Sequence, residues 1–155
     1  IEIIPTLENY GVIVLEDKNI LLDENINLIG MKDIYGTDIK SFANQLNNLV
    51  DNKRFNLLLS HRPELFNLYQ QSNIDLSLVG HAHGGQWRIP YILNGLFAPD
   101  EGLFPRFAGG IYQFPHTTFI VSRGLAKEST RVPRIFNRPE LVIVDIKTSL
   151  ANHSS

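Results

Sequence analysis

Apolar positions along this chain follow two rhythms. Short apolar runs at 11–15, 19–23 and 26–30 are each bounded by Gly or by polar residues, the pattern of neighbouring strands. From 38 to 50 the spacing changes. Ile39, Phe42, Leu46, Leu49 and Val50 recur at three- and four-residue intervals, one stripe of a helix, with Asp38 placed to cap its start. Residues 55–60 predict another strand. Pro63 then stands where its fixed φ and missing N–H suit a first helical turn, which Leu65, Phe66, Leu68 and Tyr69 continue. Residues 75–79 predict a buried strand, and 88–110, rich in Gly, Pro and aromatics, predict a long irregular excursion of the kind that shapes pockets. Strands at 117–122 and 141–146 close the pattern, and 148–155 is expected to be a disordered tail. Strands alternating with helices predict an α/β layered architecture.

Composition narrows the function classes. The 155 residues are 43% hydrophobic and 19% charged, enough for a sizeable core and unlike a disordered chain. With 14 Lys plus Arg against 16 Asp plus Glu the net charge is -2, and no basic stripe appears, so nucleic acid is not an expected partner. There is no cysteine, which rules out disulfides and thiolate metal sites and leaves the redox compartment open. No run approaches the ~18 apolar residues of a membrane span. Without repeats or linkers, residues 1–147 read as one structural unit. The opening Ile1-Glu2-Ile3-Ile4-Pro5 lacks an initiator Met and a signal-peptide pattern, so the chain reads as a piece of something longer.

Candidate chemistry sits where strands end. His61 follows the run 57–60, and His81 and His83 follow the run 76–80. In open α/β sheets the ligand crevice lies outside the carboxyl ends of the strands, and neutral imidazole is the commonest nitrogen ligand for first-row divalent metals. Gly80, Gly84 and Gly85 carry no side-chain bulk, so the backbone could approach a bound anion. Arg88 and Arg123 could offer bidentate donors to a substrate phosphate. A histidine after a strand is also an ordinary turn or capping residue, and on spacing alone both readings stand. His116 reads as a turn histidine and His153 as a solvated tail residue. Asp33 and Asp75 are carboxylates of the kind that bind metal, but Asp75 precedes its strand, which places it at the end away from the histidines. Trp87, Tyr91, Phe97, Phe104, Phe107 and Tyr112 read as packing beneath the excursion, or as an apolar wall for a lipid or nucleoside moiety.

Gly80-His81-Ala82-His83 resembles the last signature of the calcineurin-like metallophosphoesterases, and Leu58-Leu59-Ser60-His61-Arg62-Pro63-Glu64 resembles the preceding histidine motif. The extension Gly84-Gly85-Gln86-Trp87-Arg88-Ile89-Pro90 is similar to a narrower bacterial branch, which includes membrane-associated phosphoesterases and UDP-2,3-diacylglucosamine pyrophosphatase-like enzymes. Gly110-Ile111-Tyr112, Val121-Ser122-Arg123-Gly124-Leu125 and Arg138-Pro139-Glu140-Leu141 follow in that branch's order. The resemblance spans most of 10–147.

The resemblance implies the C-terminal part of a four-layer α/β fold, two stacked mixed sheets flanked by helices. It implies two divalent cations (Mn, Fe, Zn, Mg or Ni), with His61 and His81 on one ion and His83 on the other. Gly84, Gly85, Arg88 and Arg123 are the candidate substrate contacts. The implied substrate is a phosphate-containing small molecule or a lipid-linked nucleotide. The family's Asp-x-His, Gly-Asp and Gly-Asn-His motifs do not occur here. The bridging aspartate, the asparagine ligand and the acid/base histidine are therefore expected in a preceding part, and this chain alone is expected to be inactive. A missing partner segment implies exposed sheet edges, and with them self-association or a retained N-terminal fragment. The location expected is cytoplasmic, or membrane-associated through a segment outside this sequence. Two other readings are a non-catalytic interaction scaffold and a structural single-metal site.

Overall fold

The computed structural model describes residues 3–34, 38–89, 92, 94–98, 102–125 and 134–147. They hold three α-helices, α1 (Ile3–Asn9), α2 (Ile39–Leu49) and α3 (Phe66–Gln71), and eight strands. The strands are β1 (Lys18–Leu21), β2 (Ile26–Gly30), β3 (Phe55–Leu59), β4 (Leu76–Val79), β5 (Phe97–Ala98), β6 (Gly102–Leu103), β7 (Gly110–Gln113) and β8 (Thr118–Val121).

Six of them form one mixed sheet in the order β1-β2-β3-β4-β8-β7, and β5 and β6 make a separate two-stranded ribbon. The middle four strands are parallel neighbours, with β1 and β7 antiparallel at the edges. The middle strands are the near-continuous apolar runs expected of parallel strands covered on both faces. On one face Ile29, Leu58, Val79, Phe119 and Val121 pack with Phe42 and Leu46 of α2 and Phe66 and Tyr69 of α3. The other face carries Leu57, Leu76 and Ile120, joined by the half-buried Leu28, Leu78 and Val142. Two apolar hollows open there, about 330 Å3 along Ile120, Leu141 and Val144 and about 350 Å3 along Leu15, Leu28 and Leu59.

A polar core ties the starting ends of the strands. Buried Asn27 donates to the Asn56 side-chain oxygen at 2.9 Å, and Asn56 donates to the carbonyls of Asp51 and Asn73 at 3.0 and 3.2 Å. The Asp75 carboxylate accepts from the backbone N–H of Asn56 at 2.7 Å, so this residue ties strands at the end away from the histidines.

The α/β class and most elements follow the sequence pattern, and three places depart from it. The apolar runs at 11–15 and 141–146 are not strands: among the described residues neither has a ladder partner, and Leu15, Leu141 and Val144 instead line the hollows on the second face of the sheet. Residues 3–9 are helical although no apolar stripe announced it. Pro5 lies in the first turn, where a missing N–H costs nothing, and Gly11 ends the segment at φ +79°. The excursion at 88–110 is not wholly irregular, because it contains β5 and β6 and runs into β7. Residue 91, one of the aromatics considered above, and the expected tail at 148–155 lie outside the described residues. No helix among those described is long and apolar enough to cross a membrane.

Candidate functional site

The parallel register carries the carboxyl ends of β3, β4 and β8 to one rim of the sheet. Leu59 is opposite Leu78, and Val79 is opposite Val121. The ladder runs one residue further, with Ser60 N donating to Leu78 O at 3.1 Å and Ser122 N to Val79 O at 2.8 Å. The next residues along are His61, His81 and Arg123. His61 Nε2 and His81 Nδ1 lie 3.0 Å apart, their rings edge-on at 4.8 Å and 77°. The His83 ring is 6.5 Å from that of His81. The two motifs, 20 residues apart in sequence, therefore meet.

The loop after β4 is held in an unusual shape. His81, His83 and Gln86 have φ of +63°, +48° and +48°, and Gly84 and Gly85 have +68° and +66°. Left-handed backbone at a residue with a side chain costs about 1–3 kcal/mol, so the surroundings must over-determine it. They do so from the segment 134–137. Asn137 Nδ2 donates to the carbonyls of His83 and, at 3.2 Å, Gln86, while Ile135 N donates to Gln86 O and Arg88 N to Ile135 O, both at 3.0 Å. Gly84 and Gly85 are buried inside this clamp. A Cβ on Gly84 would come within 2.8 Å of Asn137 Nδ2 and 2.9 Å of Arg123 Cδ, and one on Gly85 within 3.0 Å of the Gly95 carbonyl carbon. The space these glycines leave is taken by the chain itself.

His61 is steadied from the other side. The guanidinium of Arg62, buried, reaches Asp33 through Nε to Oδ1 at 2.6 Å and Nη2 to Oδ2 at 3.4 Å. Tyr69 Oη donates to the Arg62 carbonyl at 2.9 Å and meets Ser60 Oγ at 2.8 Å. Burial alone would raise the Asp33 carboxyl, but the hydrogen bond and charge of Arg62 outweigh it and hold the group below the ordinary carboxylate value. Asp33 is thereby committed to Arg62.

Burial holds His61 and His83 toward the neutral form. Burial lowers the His61 pKa below 6.5, and the nearby His81 adds to the shift. Burial also lowers that of His83, followed by the positive charge of Arg134, whose Nη2 stands 3.3 Å from His83 Nδ1. Neutral imidazole is the form that binds metal. Of the arginines expected at a phosphate, Arg123 is paired with Glu140, its Nε donating to Oε2 at 2.8 Å, and Arg88 donates to the Asn94 side-chain oxygen. The Arg123 hydrogen bond and charge hold Glu140 low in spite of its burial. Sequence reasoning missed Arg134 and Asn137. They stand 51 and 54 residues from His83, outside both histidine motifs, and no local pattern marks them.

The donor set can be tested against a metal ion. Two nitrogens at 2.0–2.1 Å on a tetrahedral ion lie about 3.3 Å apart. The His61–His81 separation of 3.0 Å is a hydrogen-bond distance and lies within a few tenths of that spacing. Among the described residues no group of three His, Asp or Glu side chains converges on one point. The geometry therefore offers a pair of nitrogens with His83 set apart from it.

No family model matches the chain, and no solved structure matches it. Curated proteins do. A metallophosphoesterase of Bacillus subtilis, YkuE, is 31% identical over 123 residues, which are 79% of this chain and 38% of that protein. The phosphodiesterase YaeI of Escherichia coli is 28% identical over 144 residues, 91% of this chain and 50% of that protein. UDP-2,3-diacylglucosamine pyrophosphatase LpxG of Chlamydia trachomatis is 27% identical over 131 residues, 79% of this chain and 38% of that protein. The chain thus spans between 38% and 50% of these relatives' length. The motifs at the strand ends, the mixed α/β sheet beneath them and these relatives agree: the chain belongs to the calcineurin-like metallophosphoesterases, in the bacterial branch that its relatives represent.

Proposed function

We propose that the protein containing this chain is a metal-dependent phosphoesterase that hydrolyses a phosphomonoester, phosphodiester or pyrophosphate with two divalent ions. The observation that carries this reading is the 3.0 Å approach of His61 Nε2 to His81 Nδ1 at the carboxyl rim of the parallel strands. His61 and His81 would hold one ion, and His83 would take part in holding the other. The ions, when bound, supply Lewis-acid activation of water and neutralise phosphate oxygens.

This chain's own residues hold the three imidazoles in place, with burial favouring the neutral form of His61 and His83. Arg62, Asp33 and Tyr69 steady the turn under His61, and Asn137 clamps the loop of His81 and His83. A pair of histidines and a neighbour do not make two complete coordination shells. The activity therefore belongs to the longer protein, and the 155 residues alone are inactive in this reading. The named substrate of LpxG supports a phosphate-containing substrate of the same general kind.

The test is manganese-dependent hydrolysis of bis(p-nitrophenyl) phosphate by the full-length protein, beside His81→Ala. Turnover that requires the metal and is lost in the variant supports the reading. A folded, metal-loaded protein that turns over neither this substrate nor aryl monoesters and pyrophosphates would favour a non-catalytic scaffold.

A further inference from the structure

Resting on the phosphoesterase reading, we propose that Arg134 is the residue that binds the substrate's phosphate beside the histidines, in place of Arg88 and Arg123. Three guanidinium groups surround the loop after β4, and their engagements differ. Arg123 is neutralised by Glu140, and Arg88 is turned to the Asn94 amide. Arg134 has no carboxylate partner among the described residues. Its Nη2 donates to the Arg123 carbonyl at 2.7 Å and stands 3.3 Å from His83 Nδ1, while Nε and Nη1 are shut off from solvent with no hydrogen-bond partner among those residues.

Nε and Nη1 are covered by the protein, so the donor left for a ligand is Nη2, and anionic oxygens are the natural complement of a guanidinium. A guanidinium can only donate, and a histidine nitrogen that gives its lone pair to an ion cannot accept from it as well. The donor facing His83 would then be free for an anion. The position is also fixed: Trp87 and Ile135 form a β-bridge, and the clamp of Asn137 holds the same segment against the histidine loop. Among the described residues Arg134 is thus a charge without a counter-charge, held within hydrogen-bond reach of a histidine of the site.

The experiment uses the full-length protein with inorganic phosphate as the probe, titrated calorimetrically into manganese-loaded and metal-free samples of wild type, Arg134→Gln and Arg134→Lys. Metal content and the KM and kcat for an aryl phosphodiester are measured on the same samples. Arg134→Gln is expected to keep the wild-type metal content and to weaken phosphate binding about 10- to 100-fold, the range for a hydrogen bond to a charged group, with a matching rise in KM. Arg134→Lys, which keeps the charge without the planar fork, is expected to fall between. Unchanged phosphate affinity in Arg134→Gln overturns the assignment. So does loss of metal in either variant, which would mean that Arg134 acts by holding His83. Failure of the phosphoesterase reading shows separately, as a wild type with neither bound metal nor turnover. In that case a wild type that also binds no phosphate overturns the role of Arg134, and phosphate binding weakened by Arg134→Gln sustains it.

Discussion

At the scale of single residues the site favours neutral His61 and His83 and holds their loops in place. Both His61 and His83 titrate below their ordinary value of 6.5, chiefly through burial. The unfolded chain therefore takes up their protons at a higher pH than the folded chain does. The stability this gives is complete above about pH 6.5 and is lost as pH falls through the depressed folded values. Urea unfolding of the metal-free full-length protein at pH 5 to 8 should show stability falling on the acid side, with a shallower fall in the His61→Ala, His83→Ala double variant. Equal slopes would place the acid sensitivity elsewhere. Asn137 offers a second test. Removing its amide leaves the carbonyls of His83 and Gln86 without that donor in a buried loop. Asn137→Ala should then cost about 1–3 kcal/mol in denaturant unfolding and weaken metal retention at the same time.

At the scale of elements, what the sequence revealed and what it concealed have a common cause. The apolar runs that became β2, β3 and β4, and the helical stripe that became α2, were legible because burial writes their period into the chain. So were His61 and His81, because each directly follows such a run. The runs at 11–15 and 141–146 look the same to that test, yet strand pairing depends on which distant segment a run meets, and these two lie over the sheet face instead. The clamp at 134–137 was hidden for a similar reason. Arg134 meets the ring of His83 and Asn137 its carbonyl across more than fifty positions, and no spacing rule reaches that far. The docking of α2 is testable by itself. Leu46 is fully buried against the sheet, and Leu46→Ala should destabilise the protein by about 2–5 kcal/mol with its metal content intact when folded, as read by denaturant melts and elemental analysis. Loss of metal without loss of stability would contradict the separation between helix docking and site.

At the scale of the whole molecule, the two faces of the sheet are unequal. The face toward α2 and α3 has a broad core, whereas the other has a small cluster, two apolar hollows and exposed Leu59, Leu141 and Ile143 around it. An apolar face so thinly covered among the described residues, between edge strands β1 and β7, invites association. Light scattering on the isolated 155-residue chain should show dimers or larger species, and a monomer at every concentration would contradict this.

The central claim, that the strand-end histidines hold metal for phosphoester hydrolysis, is tested most directly by elemental analysis of the full-length protein beside its His61→Ala, His81→Ala double variant, both folded. The account predicts about two divalent ions per wild-type chain and about one in the variant, because the pair at 3.0 Å serves one ion and His83 the other. Equal metal content in the two proteins would contradict it.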